Sequence, residues 1–231
     1  MNYRQPAHIA FFITAFISLL VALVFEKIDL LYIYPLTFVA IYWMYLSEKK
    51  KPISILFSLA MILGLSSGIL LIIGFGQFVR EVSILVSLFY LIYLRLMYLK
   101  NLKMKTTAKI YFRLLVIFLP VLYIYDRVIC LIYNELEYGF TYFAMMAVLM
   151  LIYIIAALYY YLRNKSQSNL WMLITAVNLG IMNIIVTINE LYMYEKMFTV
   201  IAIFCSNFML FFSLKFMLED DTDDASHILE T

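Results

Sequence analysis

Gly180, Asn183, Thr187 and Glu190 follow one another at i, i+3, i+7 and i+10. That spacing places an amide, a hydroxyl and a carboxylate on one face of a helix. Such a stripe suits a pocket wall, where a carboxylate can exchange a proton and an amide can orient a polar ligand. It suits interhelical packing as well, because small residues permit close approach and Asn or Thr bond between helices for about 0.6 kcal/mol on average. Spacing alone favours packing. Asp126 is a second acid of interest, near the end of another apolar run. It and Glu190 are the candidates for acid–base work.

Further polar residues are scattered through apolar surroundings. They are Thr37; Ser66 and Ser67 beside Gly64 and Gly68; Tyr90, Tyr93 and Arg95; Thr175 and Asn178; Ser206 and Asn207. A helical rise of about 1.5 Å per residue puts Ser67, Gly68, Tyr90, Asn183 and Asn207 in one layer, near the middle of a hydrocarbon core about 30 Å thick. Polar groups there need partners, and a layer shared by four helices can line a cavity. Thr37, Ser67, Gly68, Tyr90, Tyr93, Asn178, Asn183, Thr187 and Asn207 are therefore the candidate cavity residues. Arg95 lies about one turn from a helix end, where snorkelling to the interface accounts for it.

Most known chemistries are excluded. The sequence has no Ser-His-Asp set, no HExxH, no P-loop and no paired carboxylates inside an apolar run. The absence of deep acids also argues against a proton-coupled pump. His8 and His227 lie at opposite chain ends, and Cys130 and Cys205 stand alone, so neither a metal site, a disulfide framework nor a cofactor is expected.

The elements that must position these groups are eight apolar runs: Ile9–Phe25, Leu30–Leu46, Ile53–Gly74, Val82–Leu99, Ile110–Val128, Phe140–Leu162, Leu170–Ile188 and Phe198–Leu218. Each is about long enough to cross a bilayer. Hydrophobic residues make up 66% of the chain and charged residues 14%, against roughly 25% charged in soluble domains. The expected fold is all-α: a polytopic membrane bundle of eight helices over residues 1–218. The first run is too long for a signal peptide's core and is followed by Glu26-Lys27-Ile28-Asp29 rather than small residues, so a retained helix is expected. Pro120 is a potential kink in the fifth run, and Asp126 and Arg127 fall inside or just beyond its end.

Loop charge sets an orientation. With the N-terminus and every second loop on one side, that side holds Arg4, Lys49, Lys50, Lys51, Lys100, Lys103, Lys105, Lys109, Arg113, Arg163, Lys165 and Lys215, and the other holds Lys27, Arg80, Arg127 and Lys196. A split of 12 against 4 puts both termini in the cytoplasm. Residues 219–231, EDDTDDASHILET, have little to bury and read as a disordered acidic cytoplasmic tail. The basic loops read as topology signals, with anionic headgroups as a second use.

Four short stretches carry a family resemblance. Thr175 to Tyr192, TAVNLGIMNIIVTINELY, is similar to the seventh-helix signature of the YhhN family, with Met182-Asn183 where the family has Ser-Asp and Ile188-Asn189 matching its Ala-Ile-Asn-like end. Tyr34-Pro35-Leu36-Thr37 resembles the family's Lys-Pro-Leu-Thr. Ser67-Gly68-Ile69-Leu70-Leu71 resembles Gly-Asp-x-x-Leu, with Gly68 in the acid's place. Tyr90-Leu91-Ile92-Tyr93 resembles His-x-x-Tyr. The family includes the lysoplasmalogenases, eight-helix membrane proteins that hydrolyse the vinyl-ether bond of lysoplasmalogens. The resemblance implies a lipid-accessible intramembrane cavity and a lysolipid-like ligand. It also implies an altered member, because Gly68 and Asn183 replace the two aspartates thought to do the acid–base work. Protonating a vinyl ether needs a general acid, and neither Gly nor Asn supplies one. A binding protein for a lipid-like molecule is the expectation, with membrane lipids as partners and no nucleic acid. The alternatives are an active hydrolase using Glu190 or Asp126, and a non-catalytic scaffold or sensor acting through the acidic tail. The expected location is the membrane, the inner one in a bacterium.

Overall fold

The computed structural model describes residues 4–49, 52–101, 108–133 and 139–219. Eight α-helices occupy them: α1 Arg4–Val24, α2 Leu30–Glu48, α3 Ile55–Gly74, α4 Val79–Lys100, α5 Ala108–Ile132, α6 Phe140–Arg163, α7 Gln167–Leu191 and α8 Lys196–Leu218. Each contains a span long and apolar enough to cross a membrane. The acidic tail expected over 219–231 lies outside the described residues beyond Glu219, as do the basic loop positions 50–51 and 102–107.

The helices start and stop for local reasons. Ser54 and Ser166 cap α3 and α7 by accepting hydrogen bonds from Phe57 N and Asn169 N, satisfying donors that a helix start leaves open. Between α1 and α2, Glu26 and Asp29 form a reciprocal capping box around a single 3₁₀ turn, Lys27–Asp29. Tyr45 Oη accepts from Ser54 N at 2.8 Å, tying the end of α2 to the start of α3. Two expectations need adjustment. α5 continues through Pro120 and past Val128, so Asp126 and Arg127 lie within the helix. α1 begins before Ile9, with polar residues forming its first turn.

Seven helices close a ring in the order α1, α2, α3, α4, α6, α7, α8 and back to α1, with α2 also meeting α8 across the interior. α5 stands outside, against α6 and α7. Its surface is apolar yet mostly uncovered: Phe112 is 71% exposed and Leu119 58%. A helix this apolar requires burial or lipid, and here protein supplies little of the cover. Ile110 is buried near its start, and Tyr125 toward its end. The latter lies within electrostatic reach of Tyr90 on α4.

Polar contacts fasten both ends of the ring. At the end holding Arg4 and Glu219, His8 of α1 pairs with Glu48 of α2. There Lys100 of α4 donates to the Phe216 carbonyl, to the Glu219 carbonyl at 3.1 Å and to Ser168 Oγ at 3.2 Å. Asn101 and Asn169 exchange two amide hydrogen bonds of 3.1 and 3.0 Å. At the opposite end, Lys27 meets Glu190, and Lys196 donates to the Val24 carbonyl at 2.9 Å. These contacts fix the up–down alternation of α1, α2, α4, α7 and α8.

Candidate functional site

A cavity opens between α2, α3, α4, α7 and α8. It holds about 800 Å³ of non-atom space, a figure that includes the open solvent it meets. Leu71, Ile72, Val86, Phe89, Leu179 and Met182 give it apolar walls. Two pairs of residues at depth and one at an end of the lining define its chemistry.

The first deep pair is Tyr34 and Gly68. The Tyr34 ring lies directly on the Gly68 backbone: a Cβ at position 68 would come within 2.3 Å of Tyr34 Cε1 and 2.5 Å of Tyr34 Oη. Only glycine permits this approach. The ring is held from its other sides by Phe38, with centroids 5.2 Å apart, and by the Ser206 hydroxyl of α8 at 3.4 Å. The space beside residue 68, which an acidic side chain would need, is occupied by a phenol.

The second deep pair is Tyr90 and Asn183. Asn183 Nδ2 donates to Tyr90 Oη at 2.6 Å and to its own helix at Leu179 O, 2.8 Å away. Both residues are buried. Hydrocarbon offers an amide nothing, so α4 and α7 satisfy it between them. Tyr90 also packs on the Tyr153 ring of α6, centroids 5.4 Å apart, which carries this pair from the cavity wall into the core.

One end of the lining carries charge. Lys27 Nζ and Glu190 Oε1 lie 2.6 Å apart, with side chains 18% and 12% exposed, and both line the cavity. Asn189 and Thr199 line it as well. They are joined by a 3.2 Å bond, and Asn189 Oδ1 accepts from Glu195 N at 2.7 Å, which fixes the turn between α7 and α8. From Glu190 down to Asn183 is seven residues, or about 10 Å of helical rise.

The structure redistributes the residues expected to share this cavity. Ser67, Gly68, Asn183 and Glu190 line it, and Tyr90 borders it through Asn183. Asn207 turns away to α1, donating to Ala15 O and Ser18 Oγ. Tyr93 bonds Ser213 of α8. Thr37 and Asn178 bond back to their own helices at Ile33 and Ile174. Thr187 is buried outside the lining. The expected stripe on α7 is thus divided. At 100° per residue, Gly180 and Thr187 point one way and the Asn183–Glu190 edge another. Gly180 faces α6 instead, where an added Cβ would sit 3.0 Å from Ile154 Cδ1. Asp126 is exposed on α5 and does not line the cavity.

Five polar lining residues, Lys27, Tyr34, Asn189, Thr199 and Ser206, were not singled out from sequence as cavity residues. Tyr34 was visible only as a departure from a motif, Lys27 only as a loop charge, and Asn189 only as a motif match. The signal for Lys27 and Glu190 was their common placement at the same end of the bundle, two opposite charges flanking apolar runs far apart in sequence.

The cavity lining is largely apolar, with neutral polar pairs among it and one ion pair. Its deep pairs are neutral. Among the described residues, no group of His, Cys, Asp and Glu could hold a metal ion. Set against protein-family models, curated proteins and solved structures, the chain matches none of them.

Proposed function

We propose that this is an integral membrane protein related to the YhhN family, with both termini cytoplasmic, whose cavity binds a lipid-like single-chain amphiphile without hydrolysing it. One observation carries the reading. Four of the positions where the chain departs from the resembled motifs, Tyr34, Gly68, Tyr90 and Asn183, contact one another in two pairs at or beside the cavity wall, and two more, Ser67 and Met182, line it. The resembled motifs have Lys opposite Asp and His opposite Asp at the paired positions. Here a phenol lies on a glycine, and a second phenol accepts from an amide. Unrelated drift would scatter such departures. Replacing both charged pairs by neutral ones keeps each contact satisfied, because losing one partner of a buried charge pair is far costlier than losing both. It also removes the general acid that vinyl-ether cleavage requires.

The twelve-to-four bias of basic residues supports the orientation. A hydrolase reading keeps one favourable observation: Glu190 lines the same cavity. Its carboxylate accepts from Lys27, however, and stands about 10 Å along α7 from the Asn183 layer. The test is to purify the protein in a neutral detergent and examine it by native mass spectrometry for a copurified amphiphile, alongside a lysoplasmalogen hydrolysis assay. Bound ligand without product is expected. Product formation that Glu190→Gln abolishes and Asn183→Ala spares would replace this reading with the hydrolase.

A further inference from the structure

We infer that the outward face of α5 is an interface with a second copy of this chain. Two α5 helices pack side by side about a two-fold axis and exchange ion pairs, Asp126 of each with Arg127 of the other. The inference concerns the side of the protein away from the cavity and does not depend on what the cavity binds.

α5 has two faces of different character. Leu114, Phe118, Val121 and Tyr125 follow one another at intervals of four, three and four residues and are buried or half-buried. They form the stripe that meets α6 and α7. Phe112, Val116, Leu119 and Tyr123 repeat the same intervals, and all four are exposed. At about 100° per residue this second stripe lies roughly opposite the first. Its alternation of four and three is the period of a seam between two helices. From Phe112 to Cys130 the seam runs about 27 Å by helical rise, close to a hydrocarbon thickness of about 30 Å.

Lipid covers an apolar stripe well, but it does not suit the next step of this one. Asp126 and Arg127 lie within the apolar span Phe112–Leu131, and both are exposed. Asp126 is about 9 Å from the Ile132 end of α5. Charged side chains inside such a span call for a partner. Residues adjacent in sequence do not face each other on a helix, and among the described residues neither has an ion-pair partner. Arg127 lies over the Tyr123 ring, 5.2 Å from its centroid, so it turns back along the seam instead of snorkelling out past the helix end.

The placement is self-complementary. The centre line of the seam passes between the two charges, each about 50° to one side of it. A two-fold axis parallel to the helices sets whatever lies to one side of this line on one copy against whatever lies to the other side on the second copy. Asp126 then meets Arg127 and Arg127 meets Asp126, at nearly the same height. Such a contact is isologous and closes at two copies. Cys130 is exposed one turn further on and lies within about 10° of the centre line. The two cysteines of a pair therefore meet near the axis and can report it.

Disulfide cross-linking in native membranes tests the geometry. Mild copper–phenanthroline oxidation should give a covalent dimer through Cys130, and Cys130→Ser should abolish it. In the Cys130→Ser background, Leu119→Cys on the seam should restore the dimer. Ile124→Cys, similarly exposed but about 110° from the centre line, should not. Asp126→Arg sets like charges across the axis and should weaken cross-linking at least about tenfold, as should Arg127→Asp. Combining the two reversals should restore it, which a loss through misfolding would not allow. No dimer through Cys130, or cross-linking at residue 124 as efficient as at 119, would overturn the interface and leave α5 a lipid-facing helix. A cross-linked product whose mass is not twice that of the chain would overturn the second copy in favour of a different partner. Each of these results leaves the cavity reading where it stands.

Discussion

Replacing Gly68 with Ala should change the sign of its effect according to what stands at position 34. The added methyl would lie 2.3 Å from Tyr34 Cε1 and 2.7 Å from Cζ, whereas carbon atoms rest at about 3.5–4.0 Å. The ring must therefore retreat by about 1 Å. Phe38 and Ser206 oppose that movement, and overpacking of this kind costs about 1–3 kcal/mol. Against it stands the helix preference for Ala over Gly, about 1 kcal/mol in favour of the variant. The net for Gly68→Ala is destabilisation by up to about 2 kcal/mol. With Tyr34→Ala already present, the clash is gone and only the propensity gain remains, so the same substitution should stabilise by up to about 1 kcal/mol. Thermal unfolding of the four members of this cycle in detergent reads the two signs. Equal effects of Gly68→Ala in both backgrounds, or stabilisation in the unmodified protein, would refute the ring-on-glycine contact and with it the statement that no acid fits at residue 68.

Other expectations follow from single contacts. Asn183→Ala should lower stability by about 1–3 kcal/mol, because Tyr90 loses its only interhelical amide and hydrocarbon replaces nothing; Asn183→Asp should be milder and yield no lysoplasmalogen hydrolysis, checked by thermal unfolding and product assay. Lys100→Met should free the end of α8, since it removes the donor to the Phe216 and Glu219 carbonyls; faster amide exchange at residues 215–218, with α3 unaffected, is the readout. Reporter fusions at Thr231 and after Lys51 should both report cytoplasm, and a signal from the opposite side at either site would reverse the orientation drawn from loop charge.

The architecture was legible because apolar run length is a direct consequence of bilayer thickness. Leu30–Leu46 and Phe140–Leu162 agree with α2 and α6 to within two residues at each end. The end of α5 was not legible, because Asp126 and Arg127 signal a boundary while the backbone continues through them. Which helix α5 would pack on was hidden too: Arg113 and Arg127 share one of its faces, and the apolar remainder does not name a neighbour. The site was half legible. Depth counting brought Ser67, Gly68, Tyr90 and Asn183 together, because rise per residue is fixed. It also admitted Asn207, which has the right depth and the wrong azimuth: its amide faces α1. Azimuth depends on which helices are neighbours, and chain order conceals the ring in which α4 meets α6 and α1 meets α8. Tyr34 was missed for a related reason. A tyrosine one turn into an apolar helix looks like any belt residue until a glycine on the next helix gives its ring a seat.

The most direct test of the account is turnover by the unmodified, ligand-bearing protein. Purified protein in a neutral micelle is incubated with a lysoplasmalogen, and aldehyde release and the mass of the bound species are followed together. The account predicts that intact lysoplasmalogen remains bound and that no aldehyde appears above the protein-free rate, because Gly68 and Asn183 leave the deep cavity without a carboxyl group. Sustained aldehyde release by the unmodified protein, lost in Glu190→Gln, would contradict it.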